Sequence, residues 1–131
     1  MASIFTKIIN GEIPAYKIYE NEYVFSFLDI RPIQPGHTLI VPKLEVDYFT
    51  DVPEPHYSAV FSSAKIIAKA LKIATGCERV GTTVLGFEVP HFHYHLVPMW
   101  DLGDLDLRKA HSLPKEEMLK IQASIIANIK N

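Results

Sequence analysis

The chain has 131 residues, which predicts one domain spanning 1–131, because autonomous domains cluster at roughly 100 to 150 residues. A hydrophobic fraction of 48%, with seven Phe, six Tyr and one Trp, supplies an ordinary core and excludes both intrinsic disorder and a stapled miniprotein. Thirteen basic residues against fifteen acidic ones leave a net charge of -2, too little positive field for a nucleic acid polymer to be a partner.

The one cysteine, Cys77, cannot close an internal disulfide and fits a reducing compartment. Met1 to Gly11 does not read as a signal peptide, because Thr6, Lys7 and Asn10 break its apolar run. No apolar stretch approaches the roughly 20 residues of a membrane span, so no membrane partner is expected and the cytoplasm is the expected location.

Residues 3–9 carry apolar side chains at 4, 5, 8 and 9, between Ser3 as a possible cap and Gly11 just past the end: a short amphipathic helix. Lys17 to Glu20 and Tyr23 to Asp29 are aromatic and β-branched, and the polar residues between them make a hairpin. Pro32, Pro35 and Gly36 force a loop, after which Thr38 to Val41 is a short strand closed by Pro42. Tyr57 to Thr75 places Val60, Ala64, Ile67, Leu71 and Ala74 at helical spacing, and Gly76 ends it. Arg79 to Gly86 and Val89 to Val97 read as two more strands, the second stopped by Pro98. Met99 to Ser112 shows no stable period and reads as an extended loop, and Pro114 opens a last helix bearing Met118, Ile121, Ile125 and Ile129 on one face. Residues 99–131 thus form a carboxy-terminal loop and helix. Strands joined by short turns, with helices outside the run, predict an α+β fold: an antiparallel sheet of about five strands covered on one face. Gly81 and Gly86 lie inside strand-like sequence and make no dinucleotide fingerprint.

The chemistry concentrates in His91-Phe92-His93-Tyr94-His95, where half of the six histidines fall within five residues. On a strand, positions i, i+2 and i+4 share a face, so the imidazoles would stand in a row roughly 6 to 7 Å apart, with Phe92, Tyr94 and Leu96 on the opposite face. Such a row has three physical readings. It is a solvated sheet face, or part of a metal site completed from elsewhere, or a nucleophilic centre in which neighbouring imidazoles keep the middle ring neutral.

His91-x-His93-x-His95 resembles the motif of the histidine triad (HIT) superfamily. The segments 8–15 (Ile-Ile-Asn-Gly-Glu-Ile-Pro-Ala), 27–30 (Phe-Leu-Asp-Ile) and 35–43 (Pro-Gly-His-Thr-Leu-Ile-Val-Pro-Lys) resemble its other signatures, in the family's order. The likeness runs from Ser3 to Pro98 and is greatest to the Hint branch, whose members act on purine nucleoside phosphoramidates and related nucleotidyl conjugates. The resemblance implies a HIT-like fold and a hydrolase that attacks the α-phosphorus with His93, forming a covalent nucleotidyl-histidine. It implies that His95 contacts the phosphate, that His91 and His37 form a proton relay toward the leaving group, and that Asp29 accepts hydrogen bonds from the ribose. It further implies that Phe5, Ile8 and Ile30 line the base pocket, that no cofactor is needed, and that a homodimer forms through the Arg79 to Gly86 strand and the Tyr57 to Thr75 helix. Two other readings stay open: a nucleotide-binding module without catalysis, and a histidine-based metalloenzyme for which His37 is the obvious further ligand.

The sequence departs from the family pattern in three places. Gly86-Phe87-Glu88 stands where the family has Gly-Gln-Ser/Thr, so at the substrate-binding position Glu88 replaces a hydroxyl with a carboxylate that repels phosphate. The asparagine expected near Val80 is also missing. Many members hold a structural zinc at four positions that here are Ser3, Thr6, Glu45 and His91, leaving one good ligand, so no metal is expected. The apolar side chains between Met99 and Ser112 predict that this segment packs beside a nucleotide site.

Overall fold

The computed structural model describes residues 2–130. Helix α1 (Ile4–Ile9) starts where expected: the Ser3 side chain caps it by accepting the Thr6 N–H at 3.1 Å, and Gly11 follows its end with φ of 79°. Strands β1 (Lys17–Glu20) and β2 (Val24–Leu28) form the hairpin, and Asn21 Oδ1 holds the turn by accepting the N–H groups of Tyr23 and Val24 at 2.9 and 3.0 Å. Then follow β3 (Thr38–Pro42), the long helix α2 (His56–Thr75), β4 (Arg79–Thr83), β5 (Tyr94–Met99) and α3 (Lys115–Ala127). Gly76, at φ of 70°, closes α2 in the left-handed conformation that favours glycine.

The five strands make one antiparallel sheet in the order β1-β2-β3-β5-β4, which is the expected α+β architecture. On one face, Val24 and Leu28 of β2, Ile40 of β3 and Leu96 of β5 pack against Val60, Ala64, Ile67 and Leu71 of α2. Met118 and Ile125 of α3 extend that core. The other face is not open, contrary to the expectation of a sheet covered on one side. Phe25 and Phe27 of β2 lie opposite Val41 and Leu39 of β3, and Phe5 of α1 closes over them as a second cluster. Every residue of β2 and β3 is therefore buried, because alternate side chains enter different cores.

The two strands around the triad differ from their predicted limits. β4 ends at Thr83 and β5 begins only at Tyr94, so Val84 to His93 leaves the sheet. Turn chemistry outcompetes the β-branched residues here: Gly86 sits at φ of 79°, Pro90 lacks an N–H, and His91 N–H turns back to the Val89 carbonyl at 2.8 Å. Phe92 N–H then binds the Val46 carbonyl at 2.7 Å, tying the segment to the loop after β3. Pro98 does not stop β5 but lies within it, opposite Val80. The β3 ladder has already ended at Thr38 and Leu96, so one edge of β5 is unpaired where the proline occurs.

The stretch from Met99 to Ser112 is not structureless either. Two single-turn 3-10 helices, Leu102–Asp104 and Leu107–Lys109, are capped by Asp101 and Asp106, acids whose capping role a search for periodicity passes over. Among the described residues, no helix is long and apolar enough to cross a membrane.

Because the second cluster is a real core, Phe27→Ala should lower the unfolding free energy by about 3 kcal/mol in urea titrations. Phe87→Ala, at a side chain that is 94% exposed, should stay within about 0.5 kcal/mol. Equal effects at both positions would contradict a buried second face.

Candidate active site

Two runs of hydrogen bonds assemble the site. In the first, the backbone N–H of Ile33 donates to His37 Nδ1 at 3.1 Å. A backbone N–H only donates, so the neutral His37 ring carries its proton on Nε2. That nitrogen lies 3.0 Å from His95 Nδ1 and donates to it, which leaves the proton of His95 on Nε2. His95 Nε2–H is buried and has no hydrogen-bond partner among the described residues.

Electrostatics agrees with these tautomers. Burial, with His93 as neighbour, holds the His37 pKa down at about 4, and burial, with His37 and His93 nearby, holds His95 at about 3. A protonated His37 would also turn a donor toward the Ile33 donor. Asp29, at the end of β2, places Oδ2 3.8 Å from His37 Nε2, too far for a hydrogen bond, and with His37 neutral the two make no ion pair. Asp29 Oδ1 accepts the Arg31 N–H at 2.9 Å, and burial raises its carboxyl pKa against that bond.

The second run starts from the Pro42 carbonyl at the end of β3. His91 Nε2 lies 2.9 Å from it and must donate, so His91 Nδ1 is an acceptor and takes the Ser3 hydroxyl proton at 2.8 Å. Burial lowers the His91 pKa, opposed by the Pro42 carbonyl and Glu45. His93 Nδ1 lies 2.8 Å from the His91 carbonyl oxygen and donates to it. In the neutral ring the lone pair of His93 is therefore on Nε2, free of the backbone. Phe5 braces this ring edge-on, with centroids 5.0 Å apart, and the His93 and His95 rings are also 5.0 Å apart, closer than a regular strand row would set them. The expected row is broken because His91 and His93 precede β5 and only His95 lies in it.

His37, His91, His93 and His95 thus converge, with Asp29 beside His37. His91 and His37 do not bond to each other directly: His91 is held by Pro42 and Ser3, and His37 by Ile33 and His95. Phe5 is buried against His91 and His93, Ile8 packs on the same cluster, and Ile30 is 68% exposed at the adjoining loop. Glu88 is exposed on the segment between β4 and β5. Ile33, Pro42 and Ser3 contribute to the site in ways that spacing alone did not point to. The first two act through backbone atoms, which leave no side-chain signature. Ser3 was legible as a helix cap and as one of the four positions matching a zinc site, not as a partner of a neutral His91.

A cavity of about 380 Å³ opens against His93, walled by Tyr48, Phe49, Leu85, Phe87 and Phe92. A cleft of about 600 Å³ along Lys17 to Glu22 and Lys43 contains none of the histidines. The segment after β5 braces the loop that carries Asp29 and His37: Arg31 donates to the Ala110 carbonyl at 3.0 Å, His111 N–H to the Pro32 carbonyl at 3.1 Å, and Gln34 to Asp104 at 2.8 Å.

A family model of the HIT domain matches residues 10–101. The chain belongs to the HIT domain family. Among curated HIT relatives, it is 35% identical over 134 residues to an adenosine 5'-monophosphoramidase of Saccharomyces cerevisiae, covering 94% of this chain and 85% of that protein. A crystal structure of a HIT-like protein involved in cell-cycle regulation from Bartonella henselae superposes with a TM-score of 0.87 at 29% identity, over 97% of this chain and 96% of that one. A zinc-bound histidine triad protein from Mycobacterium smegmatis gives 0.80 at 27% identity, over 97% and 95%.

A zinc ion such as the Mycobacterium smegmatis protein binds finds no suitable set of ligands among these side chains. Ser3, Thr6, Glu45 and His91 do meet, but they satisfy one another: Ser3 N–H and Thr6 Oγ1–H both donate to Glu45 Oε1, at 2.7 and 2.6 Å, and the Ser3 hydroxyl is spent on His91. Two hydroxyls, one carboxylate and one imidazole do not fit a closed zinc site. Asp29, His37 and His95 also bring ligand atoms within 4.8 Å of one another. A cation there would have to break the bond between His37 and His95.

The lowered pKa values have a sign that can be worked out. His37 and His95 stay neutral in the fold, whereas in the unfolded chain they take up protons near 6.5. The unfolded state thus binds more protons below that pH, so stability should fall as pH drops from about 6.5 toward 4, with close to two extra protons taken up on unfolding. Urea unfolding between pH 7 and 4.5 measures the slope, and a flat profile would contradict the buried neutral pair.

Proposed function

We propose that this chain is a nucleotidyl hydrolase that cleaves a purine nucleoside phosphoramidate, or a related nucleotidyl conjugate, at the α-phosphorus through a covalent intermediate on His93. The observation that carries this reading is the pairing of a lone pair with an unused donor. His93 Nε2 has its electrons free because Nδ1–H is held by the His91 carbonyl, and beside it His95 Nε2–H is buried without a partner. A phosphoryl oxygen accepts from such a donor while the phosphorus takes the lone pair.

In the first step His93 Nε2 forms a bond to phosphorus and the bond from phosphorus to the leaving nitrogen breaks, its electron pair going with the amine, which takes up a proton. Water then adds to phosphorus and gives up a proton, which balances the one the amine took, while the bond to His93 breaks with its electron pair returning to Nε2 and the nucleoside monophosphate leaves. His37 holds the tautomer of His95, so the donor aimed at the developing charge does not have to reorient. Asp29 Oδ2 accepts from the ribose hydroxyls, and Phe5, Ile8 and Ile30 border the base. Glu88 sets a negative charge on the segment next to the phosphate site and slows binding relative to a hydroxyl there. The monophosphoramidase activity named for the yeast relative supports this substrate class.

The test is incubation with adenosine phosphoramidate, scored for AMP release and for a nucleotidyl mass increase on His93. His93→Ala should lower turnover by roughly 10³-fold or more while AMP still binds. AMP binding with no turnover by the parent would instead make the chain a binding module, and full turnover by His93→Ala would remove His93 as nucleophile.

A two-fold dimer belongs to the same reading. β4 is an edge strand, and beside it Ile73 of α2 is 62% exposed in an apolar groove with Ala68 and Val80. Pairing of two β4 edges would cover both. Light scattering at micromolar concentration should give twice the chain mass; a monomer would refute the assembly. The lone Cys77, buried and unpaired, supports a cytoplasmic setting.

A further inference from the structure

The cluster that replaces the family's zinc site is a closed ring. It runs from the Pro42 carbonyl through His91 to the Ser3 hydroxyl, from Ser3 N–H to Glu45, and along the chain from Glu45 back to Pro42. Thr6 closes a second branch by donating to the same Glu45 oxygen at 2.6 Å. The acceptors set the direction of the protons in the ring. A carboxylate and a carbonyl only accept, so Thr6 and Ser3 N–H give to Glu45 and His91 Nε2 gives to Pro42. The Ser3 hydroxyl has two acceptors in reach, and His91 Nδ1 at 2.8 Å is nearer than Thr6 Oγ1 at 3.3 Å. Ser3 is 8% exposed and His91 fully buried, so water does not compete at the inner end. These contacts join residues 42 and 88 positions apart in the chain.

The ring ends at the nucleophile. With its imidazole pinned at both nitrogens, His91 presents its carbonyl oxygen in one place, and that oxygen is the acceptor that sets the tautomer and direction of His93 at 2.8 Å. We propose that Ser3 and Glu45 are positioning residues for His93, acting through His91 in place of a metal. They touch neither the nucleophile nor the substrate. A loosened His91 lets the His93 ring turn about its own axis, and reacting atoms misplaced by about 1 Å cost about 10²-fold in rate.

The kinetic part of the test rests on the hydrolase reading, so it is paired with a measurement that does not. In kinetics on adenosine phosphoramidate, Ser3→Ala should lower kcat about tenfold, a larger effect than on KM, which also reports on Phe5 and Ile8 in the helix that Ser3 caps. Ser3→Thr, which keeps the hydroxyl, should restore the rate. Glu45→Ala should share the defect and Glu45→Gln, which keeps an acceptor oxygen, should rescue it. Glu45 is exposed, so its variants fold even if loss of the Ser3 cap proves too costly. In parallel, histidine 15N NMR should show His93 protonated on Nδ1 in the parent and a mixture of tautomers in Ser3→Ala and Glu45→Ala. Variants that melt earlier but keep both the parental kcat and the parental His93 signals would overturn the proposal. So would stoichiometric zinc retained at Ser3 and Thr6 after dialysis against EDTA. A parent without turnover would sink the hydrolase reading alone, and the NMR comparison would then decide this one.

Discussion

A backbone N–H cannot accept a hydrogen bond, and the one on Ile33 points at His37. From that constraint the first half of the site follows without further choice: His37 must donate to His95, and His95 must carry its remaining proton outward. The same logic, started from the Pro42 and His91 carbonyls, leaves the His93 lone pair facing away from the backbone. Four imidazoles, each able to hold its proton in two places, are reduced to one arrangement by backbone atoms that have no alternative. Burial reinforces it by lowering the pKa values of His37, His91 and His95, which favours the neutral form of those three rings.

The fold supplies those backbone atoms by burying both faces of its central strands. β3 could not bring the Pro42 carbonyl to His91 if its second face were solvated, because that face is where Phe5 and the triad assemble. Phe5 serves twice, closing the small cluster with Phe27 and resting edge-on against His93. The order of strands places β3 beside β5, so His37 just before one strand meets His95 in the other. Sheet order, core and tautomer are in this sense one arrangement.

Much of this was legible in the residues. Helices with clear period and clear stops came out within a residue or two, since Ser3, Gly11 and Gly76 act through local backbone geometry that a sequence displays. The convergence of His37 with the triad followed from motif resemblance, and the geometry agrees with it. What could not be read were outcomes of competition between local and distant partners. Val84 and Val89 favour a strand, yet Gly86 and Pro90 turn the chain there. Pro98 ordinarily ends a strand, yet the neighbouring ladder had already lapsed. Glu45 reads only as a poor match to a zinc-ligand position, and its role depends on the Ser3 N–H and the Thr6 hydroxyl about forty residues away.

The neutrality of His37 and His95 also bears on how a substrate would be gathered. With the chain at a net charge of -2 and these two imidazoles uncharged near pH 7, neither the surface nor this pair supplies a monopole to draw an anion across the Debye length. What the pair offers a phosphate is an oriented N–H dipole, whose field decays within a few ångströms. Discrimination of this kind operates on contact and is blind to total charge during approach. A pocket built this way ignores the far larger pool of polyanions that a cationic cleft would collect, and it responds to the shape and bonding pattern of the group that enters.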